Sequence, residues 1–133
     1  MLQVLRYLWA LPATLLGLFF VPLAWLSGGR VALVEGVIEI HGGLVRWFLR
    51  RKLPGVGCAS AMTLGHVIIG RDLECLSRSR RHEHVHVRQY ERWGPFMLPI
   101  YLIASGVLYF RGLDPYLDNP FEQEAFRECD RTP

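Results

Sequence analysis

The chain has few charges and few cysteines, and each shortage excludes a class of protein. Of its 133 residues, 20% are charged and 51% are apolar. Soluble domains average about 25% charged residues, so this composition favours contact with a membrane. The net charge of +3 is too small to indicate a nucleic-acid partner by itself. An odd number of cysteines without CxxC spacing is not a disulfide framework, and we interpret the three as small buried side chains in a reducing compartment: Cys58, Cys75 and Cys129.

The arginines are concentrated in the middle of the chain. No aromatic residues alternate with them in the pattern typical of proteins that bind single-stranded nucleic acid. A basic face against anionic lipid headgroups explains the cluster more simply, so we expect membrane lipid, and not nucleic acid, as the partner. The cluster comprises Arg46, Arg50, Arg51, Lys52, Arg71, Arg78, Arg80, Arg81, Arg88 and Arg92.

Charge is absent from two long stretches, and the first is residues 7–26. About 20 apolar residues are enough for a helix to cross a hydrocarbon layer of ~30 Å. Trp9 and Trp25 lie near the two ends, where interfacial aromatic residues are favoured. The stretch is too long for the apolar region of a cleaved signal peptide, and no typical cleavage site follows it. We therefore predict a retained N-terminal membrane helix, kinked by Pro12 and Pro22.

Strand signals dominate residues 31–70. The run 31–40 is rich in β-branched residues and ends at a glycine pair, and the run 61–69 is a second strand candidate. Between them, residues 44–53 form either a strand or a short amphipathic helix, and a loop follows at 54–57. We expect a small antiparallel sheet before the helical part of the chain.

The chain contains the pattern H-E-x-x-H, formed by His82, Glu83 and His86. On a helix, residues four apart lie on one face, so two imidazoles with this spacing can share a zinc ion. Glu83 is rotated by ~100° from His82 and can act as general base on a metal-bound water. His84 points away from the pair, and we interpret it as a solvated histidine.

A catalytic zinc ion needs a third protein ligand and one open position. The metzincin pattern would require glycine at position 89 and histidine at 92, but the chain has Gln89 and Arg92 there. The ligand must then come from a later helix, and residues 118–128 predict one. Asn119 is a good N-cap, and Pro120 suits the first helical position.

Two glutamates of this helix are candidate ligands, and their positions distinguish them. Glu122 is the third residue after the N-cap, so we assign it to a capping box with Asn119. Glu124 has no capping role and is therefore predicted as the third metal ligand. Glu128, one turn later, is a candidate partner for a ligating histidine.

The combination of H-E-x-x-H with a later helix bearing Glu-Ala resembles the gluzincin metallopeptidases, the thermolysin-like group, over residues 78–130. In that family the glutamate before the alanine is the third zinc ligand, and the acid four residues later supports the site. The resemblance therefore implies these roles for Glu124 and Glu128, although the family usually has aspartate at the second position. The same segment resembles small bacterial membrane proteins, which implies a bacterial cell membrane. The first 70 residues resemble no family.

Peptidases of this group also have a histidine or tyrosine that stabilises the oxyanion. Such a donor is needed because negative charge builds on the attacked carbonyl oxygen. The sequence does not choose among five candidates, which are His41, His66, Tyr90, Tyr101 and Tyr116.

The second uncharged stretch, residues 93–110, is also nearly long enough to cross a membrane. A crossing would place His86 and Glu124 on opposite sides of the membrane, where they could not share one metal ion. An intramembrane site is disfavoured because arginines flank the motif. We therefore predict a re-entrant or interfacial hairpin, broken into short pieces at Gly94-Pro95, Pro99 and Ser105-Gly106.

These features predict an α+β fold in two parts. Residues 1–29 form the N-terminal membrane helix, and residues 30–133 form a small zincin-like domain that contains the apolar segment 93–110. The basic residues that follow the first helix outnumber Arg6 and the amino terminus before it. The positive-inside rule then predicts that the domain lies on the cytoplasmic side.

The predicted function is a membrane-attached, zinc-dependent metallopeptidase that acts on a peptide or protein. Glu83 is the predicted catalytic base, and Zn²⁺ is held by His82, His86 and Glu124. The alternative is a non-enzymatic membrane scaffold or assembly protein whose metal site is structural or degenerate.

Overall fold

The computed structural model describes residues 1–50 and 61–131, with side chains as far as Cys129. The loop predicted at 54–57 and Cys58 lie outside the described residues. The elements confirm a mixed α+β fold, and a short 3₁₀ turn (Gly94–Phe96) separates α5 from α6. In chain order they are α1 (Leu2–Trp9), α2 (Leu11–Leu18), α3 (Phe20–Leu26), β1 (Arg30–Val34), β2 (Val37–His41), α4 (Gly43–Arg50), β3 (Ala61–Leu64), β4 (Val67–Gly70), α5 (Leu73–Trp93), α6 (Met97–Phe110) and α7 (Pro120–Arg131).

Each run that the sequence predicts as one strand is a hairpin. β1 and β2 pair in antiparallel fashion around Glu35 and Gly36, whose φ angles are 52° and 79°. Positive φ at both central residues is characteristic of a type I′ turn, whose backbone twist matches that of the two flanking strands. β3 and β4 pair in the same way around Gly65, whose φ is 62°.

The four strands form a mixed sheet in the order β1-β2-β4-β3. The two inner strands, β2 and β4, are parallel, with Ile38 opposite Val67 and His41 opposite Gly70. The prediction of an antiparallel sheet is therefore wrong for the central pair. Parallel strands need a crossover connection, and the connection between these two contains α4, so the helical alternative for residues 44–53 is the one observed over Gly43–Arg50.

A side-chain cap fixes the start of helix α5, and an ion pair fixes the helix on the sheet. Asp72 caps its start, since the carboxylate accepts a hydrogen bond of 2.8 Å from the backbone N–H of Cys75. The Arg80 guanidinium donates two hydrogen bonds of 2.8 Å to the buried carboxylate of Glu39 on β2. A bidentate pair of this kind fixes orientation as well as distance. It sets which turn of α5 lies over the sheet, and so places residues 82–86.

The predicted N-terminal span is divided in the structure. α1 is bent by 60° from the helical stretch that α2 and α3 form together. Pro12 lies in the first turn of α2, and Pro22 lies three residues into α3, where each proline removes a backbone donor. Small side chains face inward along this segment and let it pack closely on the rest of the chain; they are Ala10, Ala13, Gly17 and Ala24.

In the described residues, one helical stretch, Leu73–Phe110, is long and apolar enough to cross a membrane by length and composition, and a second exists if the bent N-terminal pair counts as one span. The first stretch is not straight, because Gly94 interrupts it with φ 57° and ψ −132°. The ring centroids of His86 and Tyr101 are 6.5 Å apart, whereas fifteen residues of straight helix rise ~22 Å. The break predicted at Gly94 is confirmed, but α6 runs unbroken through Pro99 and Gly106.

A candidate metal centre

Two histidines of α5 meet one glutamate of α7. Nε2 of His82 lies 2.8 Å from Oε2 of Glu122, and Nε2 of His86 lies 3.2 Å from the same oxygen. The two Nε2 atoms are 3.2 Å apart. The side chains are 13%, 7% and 5% exposed in the order His82, His86 and Glu122. Three ligand atoms therefore converge at a mostly buried point.

The separations match those required around a small metal ion. Zinc binds nitrogen and oxygen at about 2.0–2.2 Å, so the ligand atoms of a tetrahedral site lie about 3.3–3.6 Å apart. The observed separations of 2.8 to 3.2 Å need only a small expansion to reach that size. The group formed by His82, His86 and Glu122 can thus hold a metal ion.

Charge is held in place at this point by hydrogen bonds. Burial would raise the pKa of Glu122, but hydrogen bonds from His82 and His86 outweigh it and lower that pKa to about 2. Burial alone would lower the pKa of His86, but its contact with Glu122 and the charge of Glu83 raise it to about 9. The carboxylate is therefore ionised across the physiological range, as a metal ligand must be.

The second nitrogen of His86 is fixed by Gln89. Nδ1 of His86 lies 2.7 Å from Oε1 of Gln89, whose amide nitrogen donates to the backbone oxygen of Phe121 and to Oε2 of Glu124. Since both amide donors are used, the amide oxygen is directed toward His86 and accepts its Nδ1–H. This leaves Nε2 as the atom for a metal, the arrangement that metal-binding histidines usually show.

The carboxylate that meets the histidines is that of Glu122 and not that of Glu124, the predicted ligand. Glu124 accepts hydrogen bonds of 3.1 Å from Gln89 and 3.4 Å from Arg92. The capping box assigned to Glu122 does not form, because the backbone N–H of Asn119 donates to the carbonyl of Tyr116 instead. Asn119 does cap the helix, accepting from the N–H of Phe121 at 3.0 Å.

Glu83, the predicted base, lies on the inner side of α5. It is 6% exposed, and its Oε2 accepts a hydrogen bond of 2.6 Å from the hydroxyl of Thr63 on β3. Its negative charge raises the pKa of His86. It also raises the pKa of Tyr116, for which burial and the charge of Glu122 are the larger causes. The sheet thus holds Glu83 beside the histidine pair.

Two of the five oxyanion candidates reach the site. Tyr101 of α6 donates a hydrogen bond of 2.7 Å to Oε1 of Glu122. The other is Tyr116, whose pKa is raised by burial and by the charge of Glu122, so its hydroxyl stays protonated and can donate. Tyr90 is buried in a hydrophobic cluster with Met97. The other two candidates lie away from the site: His41 is on β2, and His66 pairs with Glu91.

The two remaining predicted residues, His84 of α5 and Glu128 of α7, line a different part of the surface. His84 is 3.7 Å from Glu35 at the turn between β1 and β2. It lines a groove together with Arg81, Arg88 and Glu128. Gln89 is the observed partner of His86 Nδ1, and Glu128 borders this groove. The spacing of three residues between His86 and Gln89 is the signal in the sequence that indicates this contact.

Comparison with known protein families, with curated proteins and with solved structures finds none that matches this chain. The geometry of the metal centre and the pattern of its residues are then the basis for assigning a function.

Proposed function

We propose that the protein is a membrane-attached, zinc-dependent metallopeptidase with a gluzincin-type site. The observation that carries the proposal is the convergence of His82 Nε2, His86 Nε2 and Glu122 Oε2 within 3.2 Å of one another. Two imidazole nitrogens and one carboxylate oxygen are one of the ligand sets that hold catalytic zinc, whereas Ca²⁺ and Mg²⁺ prefer oxygen ligands alone. In this proposal Glu122 takes the ligand position that the sequence assigned to Glu124.

The chemistry follows from the positions of the side chains. A zinc ion held by these ligands would polarise the substrate carbonyl and lower the pKa of a water to about 7. Glu83 accepts the proton of the attacking water and passes it to the leaving amine, while Thr63 holds one of its oxygens. The hydroxyls of Tyr101 and Tyr116, which lie beside Glu122, are the candidates for stabilising the oxyanion.

Attachment to a membrane is supported by apolar side chains that the fold leaves exposed. Many of them lie on α1, α2 and α6, and the uncharged stretches 7–26 and 93–110 contain more than half of them. Monomeric soluble proteins rarely expose large contiguous apolar patches. We place the metal centre on the cytoplasmic side because the basic residues that follow the first apolar stretch are attracted to the anionic cytoplasmic leaflet.

A second candidate is a non-enzymatic membrane protein whose metal site is structural. The burial of the three ligands favours it, since none is more than 13% exposed. A structural site is closed, whereas a catalytic site keeps one position open to water and substrate.

The substitution Glu83→Gln separates the two candidates. It removes the base without adding bulk, so we expect cleavage of a dye-labelled casein to fall at least ~100-fold while zinc content is unchanged. Glu74→Gln, on the exposed side of the same helix, is the matched control and should leave cleavage intact. Equal cleavage by wild type and Glu83→Gln would contradict the peptidase assignment.

A structural site predicts a different pair of results. Glu83→Gln would then be nearly silent in every assay, and His82→Ala would lose both the metal and the cooperative thermal unfolding transition. This result would favour the scaffold over the enzyme.

A further inference from the structure

Helix α6 is apolar all round, yet it buries only one of its faces. Its inner stripe includes Met97 and Ser105, both 2% exposed or less, with Tyr101 between them. The opposite stripe is exposed and repeats every three or four residues. We call it the outer stripe of α6; it consists of Pro99, Ile103, Val107 and Phe110, together with Phe96 of the preceding 3₁₀ turn. A helix that is hydrophobic on every side normally has all sides covered.

The outer stripe continues onto α1. The rings of Trp9 and Phe96 are in contact, with centroids 6.1 Å apart, and both are exposed on their other sides. The Trp9 indole also donates to the backbone oxygen of Arg92, so this corner is fixed. Beyond Trp9, α1 exposes Leu5 and Leu8. The two helices thus form one apolar surface, here called the α1–α6 surface.

The charges around this surface match a lipid headgroup layer. No charged residue lies between Arg92 and Arg111, and Arg6 lies on the α1 side. Trp9 and Trp93 lie at the junction of the two helices, and tryptophan is favoured at the boundary between headgroups and acyl chains. Arginine at such a boundary is attracted to anionic lipid.

The geometry of α6 argues against a crossing. Its 14 residues rise ~21 Å, which is less than the ~30 Å of a hydrocarbon core. The chain then returns along α6, since Ser105 donates to the backbone oxygen of Pro115 at 2.9 Å and Asn119 donates to Ser105 at 2.9 Å. The returning segment contains Asp114 and Asp118, and a helix that entered the bilayer tip first would carry these charges with it.

We propose that the α1–α6 surface lies in the plane of one leaflet, with the outer stripe of α6 among the acyl chains, and that neither α1 nor α6 crosses the bilayer. The proposal rests on the membrane attachment of the proposed function and specifies its form. It also places the metal centre directly beneath α6, because Tyr101 on the inner stripe donates to Glu122. Polypeptide segments at the membrane surface are then the preferred class of substrate.

Vesicle flotation tests the surface. Full-length protein transferred from detergent to vesicles of phosphatidylcholine and phosphatidylglycerol should float with them, and Ile103→Asp should reduce the bound fraction at least ~10-fold. Leu73→Asp is the matched control: Leu73 is similarly exposed but lies at the other end of α5, ~30 Å from Trp93. Circular dichroism confirms that each variant is folded. Equal loss in both variants, or no flotation of the wild type, would overturn the proposal.

Labelling from one side tests the absence of a crossing. Single cysteines replace Gln3, Arg78 and Arg127 in a background without the native cysteines, and intact vesicles are treated with a membrane-impermeant maleimide. All three positions should label from the same side. A difference between Gln3 and Arg78, or between Arg78 and Arg127, would reveal a crossing and overturn the one-leaflet arrangement. The proposed peptidase activity and zinc binding are tested separately, by the cleavage and zinc measurements.

Discussion

His86 has a fixed partner on each of its nitrogens. Its Nδ1 lies 2.7 Å from the amide oxygen of Gln89, and its Nε2 lies 3.2 Å from Oε2 of Glu122. Gln89 is in turn fixed by Glu124, which accepts from its amide nitrogen. Glu124 therefore acts on the site through Gln89, so its loss should loosen the orientation of His86 without removing a ligand atom.

The pH dependence of the metal-free protein follows from this ion pair. The pKa of His86 is raised to about 9 from 6.5, so its stabilising effect is complete below pH 6.5 and is lost as the pH rises through 9. The pKa of Glu122 is lowered to about 2 from 4.5, so its effect is present above pH 4.5 and is lost as the pH falls toward 2. We expect maximal stability between these limits.

Thermal unfolding of chelator-treated protein from pH 3 to pH 9 measures this profile. Zinc should raise the unfolding temperature more at pH 8 than at pH 6, because protons and metal compete for the same nitrogens. Glu122→Gln should flatten both sides of the profile. A metal-free protein that became more stable between pH 6.5 and 9 would contradict the assigned pair.

The sequence identifies part of this site and misplaces the rest for a definite reason. His82, Glu83 and His86 follow from helical spacing alone, which is a local property. The choice between Glu122 and Glu124 depends on which side of α7 faces α5, and two residues on a helix differ by ~200°. The capping preference used to exclude Glu122 is worth about 1 kcal/mol, and contacts with two histidines and Tyr101 outweigh it.

Among the elements, the junction of α5 and α6 has the strictest requirement on residue type. Gly94 has φ 57°, and a Cβ there would lie 2.3 Å from the ring of Trp9. An L-residue with φ 57° and ψ −132° costs about 1–3 kcal/mol before any clash is counted. The turn that brings Tyr101 toward His86 therefore depends on glycine at this position.

Gly94→Ala should lower the free energy of unfolding by at least ~2 kcal/mol, and the clash with Trp9 adds to the backbone strain. Gly106→Ala is the matched control: Gly106 lies inside α6 with nothing within 4 Å of an added Cβ, so the change should be neutral or stabilising by up to ~1 kcal/mol. Denaturant unfolding in detergent measures both variants. Similar effects in the two would show that the junction tolerates side chains.

The strand elements show a different limit of sequence analysis. The runs 31–40 and 61–69 are recognisable as β structure from their β-branched residues. The turns inside them, at Glu35-Gly36 and at Gly65, each contain one glycine in a continuous apolar pattern, which is a weak turn signal. Once each run is a hairpin, the connection through α4 makes the inner strands parallel, and no local pattern predicts that pairing.

At the scale of the whole molecule, the site is assembled from four separate parts of the chain. α5 supplies the histidines and Glu83, α7 supplies Glu122, α6 supplies Tyr101, and β3 supplies Thr63. The N-terminal helices pack against the same body through Ala10 and Ala13. An apolar N-terminal stretch predicts a membrane helix by composition, but composition does not show that its small residues contact the sheet and α6.

Metal content is the measurement that tests the account most directly. Elemental analysis of detergent-purified protein should find about one zinc per chain in the wild type and in Glu124→Gln. Zinc should be lost in His82→Ala and in Glu122→Gln, because each removes one of three converging ligand atoms. Zinc retained by Glu122→Gln and lost by Glu124→Gln, or no zinc in the wild type after incubation with the metal, would contradict the site described here.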